Sequence, residues 1–155
     1  MKYISPIGKK INSNLSYQVE QITENKIIRK TRTDKRHPVK FPVNEILKMK
    51  LKTQCILLNE RRKAEQKSIL SQTDFNTFLL RYGLSKQDCI TFTTDYKDSK
   101  MYMHTKLLET EYALIGGPYG LSIKHNLSNR KTVTYIMATV IKWLESGGIN
   151  DEIFQ

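Results

Sequence analysis

The feature that most constrains this chain is an order of elements that occurs twice along it. A short strand pattern, a helical pattern, a turn and a second helical pattern span residues 36–84, and the same order returns over residues 100–146. Each copy has roughly 50 residues and cannot close a core alone, because its strand has two open edges and each helix has one apolar face. We therefore predict a mainly α fold in which the copies pair as a two-stranded antiparallel β-ribbon, near 38–42 and 101–107, and interlock their helices.

Local signals predict the elements of the first copy. Asn44 is a good N-cap, and an apolar residue recurs on one face of the following helix at Leu47, Leu51, Cys55 and Leu58. The polar stretch 60–67 is expected to end that helix. Ser71 begins a second helix with the stripe Phe75, Phe78, Leu79 and Tyr82, and Gly83 is expected to stop it.

The second copy carries the same kinds of signal. A helix is predicted over 108–115, ended by the Gly-Gly-Pro at 116–118, and Ser128 caps a further helix that Gly147 and Gly148 stop. The chain thus divides into a basic N-terminal extension (1–35), a first unit (36–84), a connector (85–99), a second unit (100–146) and a tail (147–155). We also predict a hairpin over 15–32, a short strand at 90–93 and a frayed acidic end at 149–155.

Charge narrows the class of partner. The chain has 26 Lys and Arg against 15 Asp and Glu, a net charge of +11, so its preferred partner is a polyanion: nucleic acid, an acidic membrane surface or an acidic protein. No apolar run approaches the roughly 20 residues that span a bilayer, and the first residues are too polar for a signal peptide. We therefore expect a cytoplasmic protein without a membrane partner.

The reactive residue types form no recognisable catalytic or metal motif. Cys55 and Cys89 form no CxxC pair and are predicted to be free core thiols, and three scattered histidines predict no metal and no cofactor. The carboxylates at 95, 98, 109 and 111 share no predicted face with a His or a nucleophile. Nicking through Tyr96 or Tyr102 would require a His-rich metal site, and the glycine-rich stretch 116–120 lacks the lysine of a phosphate loop. We therefore predict no catalytic residue and a protein that is not an enzyme.

Three segments of the second copy resemble the ribbon-helix-helix DNA-binding proteins. They are Tyr102-Met-His-Thr-Lys-Leu as the ribbon, Glu109-Thr-Glu-Tyr-Ala-Leu as the first helix and Leu127-Ser-Asn-Arg-Lys-Thr-Val as the capped second helix. The first copy matches in Val39-Lys-Phe-Pro-Val-Asn-Glu-Ile. It then departs, because the distance from ribbon to second cap is longer, so it must carry a longer first helix or an insertion.

Two such units in one chain are similar to the tandem accessory proteins of plasmid relaxosomes. That resemblance implies sequence-specific binding of double-stranded DNA at repeats of an origin of transfer, with several copies side by side and a relaxase or other mobilisation protein as a partner. A second reading within the family is a transcriptional repressor of a plasmid or phage operon. A third, from charge alone, is a basic protein-interaction adaptor or inhibitor that does not bind DNA.

Alternation along the ribbon predicts which side chains read DNA. Val39, Phe41, Met103, Thr105 and Leu107 would face the core, since successive side chains of a strand point to opposite faces. The predicted base-reading residues on the outer face are Arg36, Lys40, Tyr102, His104 and Lys106. Pro38 shares that face but cannot read a base edge. The starts of the two second helices are predicted to bind phosphate through Ser71, Gln72, Thr73, Ser128, Asn129, Arg130 and Lys131.

Overall fold

The structure is a computed structural model that describes residues 30, 32, 34–93 and 96–155. Most of the predicted basic extension, and all but residues 30 and 32 of the predicted hairpin, lie outside the described residues. The elements are β1 (Arg36–Pro42), α1 (Glu45–Ala64), α2 (Gln72–Ser85), β2 (Tyr102–Leu108), α3 (Glu109–Gly116), α4 (Leu121–Lys124) and α5 (Asn129–Glu145), with 3-10 turns at Gln87–Cys89 and Asp151–Phe154. This described part is mainly helical with a two-stranded antiparallel sheet, which confirms the predicted class at that level.

The two strands pair within the chain, as the sequence predicts. Val39 lies opposite Thr105, and Phe41 lies opposite Met103. The ladder continues past both ends, because the Val43 N–H donates to the Met101 carbonyl at 2.9 Å and the Glu109 N–H donates to the Lys35 carbonyl at 3.0 Å. The five residues predicted to face inward are all buried, which confirms the predicted alternation: Val39, Phe41, Met103, Thr105 and Leu107.

Helix α1 begins where its cap predicts. Oδ1 of Asn44 accepts the Leu47 N–H at 2.7 Å, and the predicted face of Leu47, Leu51, Cys55 and Leu58 is buried. The helix ends at Ala64, within the stretch 60–67 that was predicted to end it, and it includes the first part of that stretch because Glu, Arg, Lys and Ala are all good helix formers. The longer first copy is therefore explained by a 20-residue helix, where α3 of the second copy has 8 residues.

Helices α2 and α5 cross at Gly83. The prediction that this glycine ends α2 is wrong. The helix continues to Ser85, and Gly83 is buried against α5. A Cβ at Gly83 would lie 2.3 Å from Cγ2 of Ile136 and 2.9 Å from Cγ2 of Val140. The missing side chain is what allows the two helices to approach, so this glycine serves packing rather than termination.

Two further expectations fail for reasons of tertiary packing. Residues 90–93 form no strand, and instead of pairing with a strand the Thr91 N–H donates to Oγ1 of Thr139 on α5 at 3.4 Å. The end of the chain is not frayed: the Phe154 side chain is 1% exposed and stacks on Phe75 with ring centroids 5.3 Å apart. Arg62 also donates to the Phe154 carbonyl at 2.8 Å.

The two cysteines are both free, as predicted, but only Cys55 is buried in the core. Cys89 is exposed at the turn that follows α2, so its predicted core position is wrong. Among the described residues, no helix is both long enough and apolar enough to cross a membrane.

Candidate nucleic-acid interface

The outer face of the ribbon gathers the predicted base-reading residues. Lys40 lies opposite His104, and Lys106 lies opposite Pro38. The side chains of Arg36, Lys40, His104 and Lys106 are exposed, whereas Tyr102 is half-buried with the Lys40 ammonium 4.4 Å from its ring centroid. The face therefore presents two amines, a guanidinium and an imidazole, all groups that can donate to base edges or phosphates.

The two lysines occupy equivalent positions about the centre of the ribbon. Val39 pairs with Thr105, and the seven residues of each strand extend equally on both sides of that pair. A local twofold axis through it relates Lys40 to Lys106, each of which follows the central residue of its own strand. The same axis relates Arg36 to Tyr102 and Pro38 to His104, so at these outward positions the two strands carry different residues.

Pro38 fits the ribbon without loss of a ladder bond. In an antiparallel pair the residues alternate between hydrogen-bonded and non-hydrogen-bonded positions. The bonds that extend the ladder at Val43 and Lys35 place odd-numbered residues of β1 at the hydrogen-bonded positions. The ring nitrogen of Pro38 therefore faces away from β2, where its missing hydrogen costs nothing.

Polar side chains of the second helices close the outer edges of the ribbon. The Lys106 N–H donates to Oγ1 of Thr77 at 2.9 Å, and Nδ2 of Asn76 donates to the His104 carbonyl at 3.2 Å. On the other edge, Oγ1 of Thr134 donates to the Pro42 carbonyl at 3.0 Å. Each second helix thus covers the strand of the opposite copy, which leaves the outer face as the open side of the ribbon.

These edge contacts were not predicted from the sequence. Asn76 and Thr77 are 1% and 3% exposed, and they stand between the apolar residues Phe75 and Phe78 of α2. A pair of polar residues on the buried side of an amphipathic helix is the signal that was available, since buried polar groups require partners.

The start of α2 has few groups left to bind an anion. Oγ of Ser71 accepts the Asp74 N–H at 3.1 Å and donates to the Asp74 carboxylate at 2.6 Å. Nε2 of Gln72 donates to the Leu51 carbonyl at 3.3 Å and to Asn76 at 3.0 Å, so this amide points inward. The Thr73 carbonyl accepts the Thr77 hydroxyl at 2.7 Å. The three side chains predicted to bind phosphate here stand beside a carboxylate, which repels a phosphate.

The start of α5 is more basic. Oγ of Ser128 accepts the Lys131 N–H at 3.2 Å, and the first turn contains no acidic residue. Arg130 is exposed, and the Lys131 ammonium lies 5.2 Å from the Tyr96 ring centroid. Burial, reinforced by the nearby Asp98 carboxylate, raises the pKa of Tyr96. With Arg130 and Lys131 in its first turn and no carboxylate there, this helix end is more favourable to a phosphate than the start of α2.

Asn129 and the ribbon are joined through Tyr112. Nδ2 of Asn129 donates to the Tyr112 hydroxyl at 2.6 Å, and the Tyr112 ring stacks on His37 with centroids 3.6 Å apart and planes at 8°. Nδ1 of His37 lies 3.2 Å from Oε2 of Glu109. The start of α5 is thus fixed to the first residues of β1, and sequence reasoning gave no sign of this contact.

The carboxylates that the sequence analysis considered for catalysis serve separate local contacts. Glu109 binds His37, whereas Glu111 accepts Nε of Arg81 at 2.7 Å and the Leu108 N–H at 2.7 Å. Asp98 accepts the Lys100 N–H at 3.1 Å, and the residue at 95 lies outside the described residues. Within the described ranges, no group of three or more His, Cys, Asp or Glu side chains is placed to hold a metal ion.

Comparison with known proteins identifies no relative of this chain. No protein-family model, no curated protein and no solved structure matches it significantly. The functional assignment therefore depends on the geometry and charge of the chain itself.

Proposed function

We propose that this chain is a sequence-specific double-stranded DNA-binding protein of tandem ribbon-helix-helix architecture, which reads the major groove with the outer face of its ribbon. The observation that carries the proposal is the placement of Lys40 and Lys106 at equivalent, exposed positions of a ribbon whose other face is buried. A major groove about 12 Å wide admits a two-stranded ribbon, and lysine can donate to O6 and N7 of guanine. Arg36, Tyr102 and His104 supply further contacts on the same face.

The packing of the helices supports the tandem arrangement. Helix α2 packs on β2 and helix α5 packs on β1, so each copy completes the other, as two subunits of a dimeric ribbon reader would. The basic start of α5 supplies phosphate contacts beside the ribbon, through Ser128, Asn129, Arg130 and Lys131. Because one chain supplies two different strands, one chain reads an asymmetric element, and several chains line up on direct repeats about one helical turn apart.

The test is a titration of the full chain against fragments of the non-coding DNA that neighbours its gene. Binding is measured by fluorescence anisotropy at several salt concentrations. If about six to ten phosphates are contacted, log K falls with log salt at a slope of roughly −5 to −9. Lys106→Ala weakens binding by about 1–3 kcal/mol and relaxes base choice at one half of the element. Lys86→Ala, an exposed lysine beyond α2, is the matched control and leaves affinity for the element nearly unchanged.

Absence of duplex binding at low salt, or a salt slope near zero, contradicts DNA binding and favours a protein-interaction adaptor. Where binding is found, footprinting with sedimentation gives the number of chains per element. An element within an origin of transfer supports the relaxosome accessory role with a relaxase as partner, whereas an element over a promoter supports repression.

A further inference from the structure

The outer face of the ribbon consists of two halves that meet at its local twofold axis and differ in charge. The first half, which we call the cationic half, carries Lys106 and, diagonally across the two strands from it, Arg36. Both side chains are exposed, and neither takes part in an ion pair within the described residues. The carboxylate that follows β2 at this end, that of Glu109, lies 3.2 Å from His37 and 3.8 Å from Lys35. The cationic half therefore offers two strong hydrogen-bond donors to a partner.

The second half, which we call the aromatic half, holds its lysine against a ring. Lys40 lies opposite His104, and its ammonium is 4.4 Å from the centroid of the Tyr102 ring, diagonally across the strands. The Tyr102 hydroxyl donates to the Asp98 carboxylate at 3.4 Å. This half therefore has one lysine, one imidazole and a tyrosine whose hydroxyl is turned toward a carboxylate.

The twofold axis gives the two lysines equivalent places in a DNA groove. Lys40 and Lys106 each follow the central residue of their own strand, and the strands are antiparallel. Duplex DNA also has local twofold axes, which exchange its two strands, and the symmetry of a reader is mirrored in the symmetry of its site. When the two axes coincide, the two lysines meet equivalent base edges on opposite DNA strands.

We propose that the DNA element read by one chain has a palindromic centre and unlike ends. One guanine stands on each DNA strand at equal distances from the centre, bound by Lys40 on one side and by Lys106 on the other. A further guanine lies outside them on the side of Arg36 alone, because the equivalent position holds Tyr102. This inference rests on the proposed function and specifies which sequences the ribbon selects.

The test is selection of duplexes from a random library by the full chain, with sedimentation to count the chains on each selected element. We expect the wild type to prefer each inner guanine over the other bases by at least about tenfold. Lys40→Ala lowers this preference at one inner position and Lys106→Ala lowers it at the other, each to less than about threefold. Arg36→Ala removes the outer preference alone. Circular dichroism establishes that these variants, all at exposed positions, remain folded.

A gain of symmetry is the second test. Tyr102→Arg places a guanidinium at the position equivalent to Arg36, and Asp98→Asn removes the carboxylate that would pair with it. This double variant should select a second outer guanine, so that the element becomes palindromic along its whole length. Tyr119→Arg with Asp98→Asn is the matched control. Tyr119 is 99% exposed and lies outside the ribbon, so the same charge added there leaves the selected element unchanged.

The possible outcomes separate this inference from the proposed function. Duplex binding without the paired inner guanines, or with a guanine at both outer positions for the wild type, overturns the inference and leaves DNA binding standing. Two chains on each selected element overturn it as well, because the symmetry then belongs to the pair of chains. The inference also fails if the Tyr102→Arg double variant selects the wild-type element. Absence of any duplex binding overturns both proposals.

Discussion

The backbone N–H of Lys106 donates to Oγ1 of Thr77 at 2.9 Å, which ties the exposed strand of one copy to the second helix of the other. On the opposite edge, Thr134 donates to the Pro42 carbonyl at 3.0 Å. The two threonines hold the same position relative to the capping serines of their helices, Ser71 and Ser128. The two copies are thus joined reciprocally through hydrogen bonds as well as through apolar packing.

Removal of the Thr77 hydroxyl should destabilise the fold. Thr77→Val keeps the shape of the side chain but leaves the Lys106 N–H without its partner, which costs about 1–3 kcal/mol of the free energy of unfolding. Urea unfolding followed by circular dichroism measures this cost. Thr53→Val, at an exposed position of α1, is the matched control and should change stability by less than about 0.5 kcal/mol. A Thr77→Val variant as stable as the control would show that the edge contact contributes nothing.

A methyl group at Gly83 should also destabilise the protein. Gly83→Ala gains roughly 1 kcal/mol of helix propensity but places a Cβ 2.3 Å from Ile136 Cγ2, and overpacking typically costs about 1–3 kcal/mol. We expect a net loss in thermal unfolding. The same substitution in an Ile136→Ala background should cost less, because the space is then available. An equal cost in both backgrounds would contradict the crossing at Gly83.

The ribbon and the caps of α2 and α5 were predictable because their signals are local. Alternation of apolar residues at Val39, Phe41, Met103 and Leu107 defines the buried face of each strand, and the serines before α2 and α5 mark their starts. The same alternation brought the five predicted base-reading residues onto one face.

The features that were missed depend on contacts between distant parts of the chain. Gly83 reads as a helix stop in sequence and becomes a crossing point only when α5 packs on it. Phe154 follows two glycines with no periodic neighbours, so nothing local marks its burial against Phe75. Asn76 and Thr77 interrupt an apolar stripe, but the strand that they contact is more than 20 residues away in sequence.

The two thiols should differ in reactivity. Burial raises the pKa of the Cys55 thiol, so it forms little of the reactive thiolate near neutral pH, whereas Cys89 is exposed. A disulfide reagent should modify one thiol quickly in the native protein at pH 8 and two after denaturation, and Cys89→Ser should remove the fast reaction. Because the folded-state pKa of Cys55 is the higher one, its contribution to stability is complete below the ordinary thiol pKa and is lost as pH rises through the folded-state value.

The two helix starts should contribute unequally to DNA affinity under the proposed function. Arg130→Ala removes a cation at the start of α5 and should reduce the magnitude of the salt slope by about 1. Asp74→Asn removes the carboxylate at the start of α2 and should strengthen binding. Arg61→Ala, whose guanidinium pairs with Asp151 at 3.2 Å, is the control for a distant cation. A salt slope that Arg130→Ala leaves unchanged would place the phosphate contacts elsewhere.

Because each second helix covers the strand of the other copy, the first copy cannot complete its contacts until the second copy has been synthesised. About 60 residues separate the end of β1 from the start of β2, which at roughly 5–20 residues per second is an interval of about 3–12 s. Throughout this interval β1 lacks its partner strand, and α2 is made during it, before β2, which both of them contact, has been synthesised. Two nascent chains on one message can then exchange halves, each supplying the strand that the other awaits, and the product would be a domain-swapped dimer with two complete ribbons.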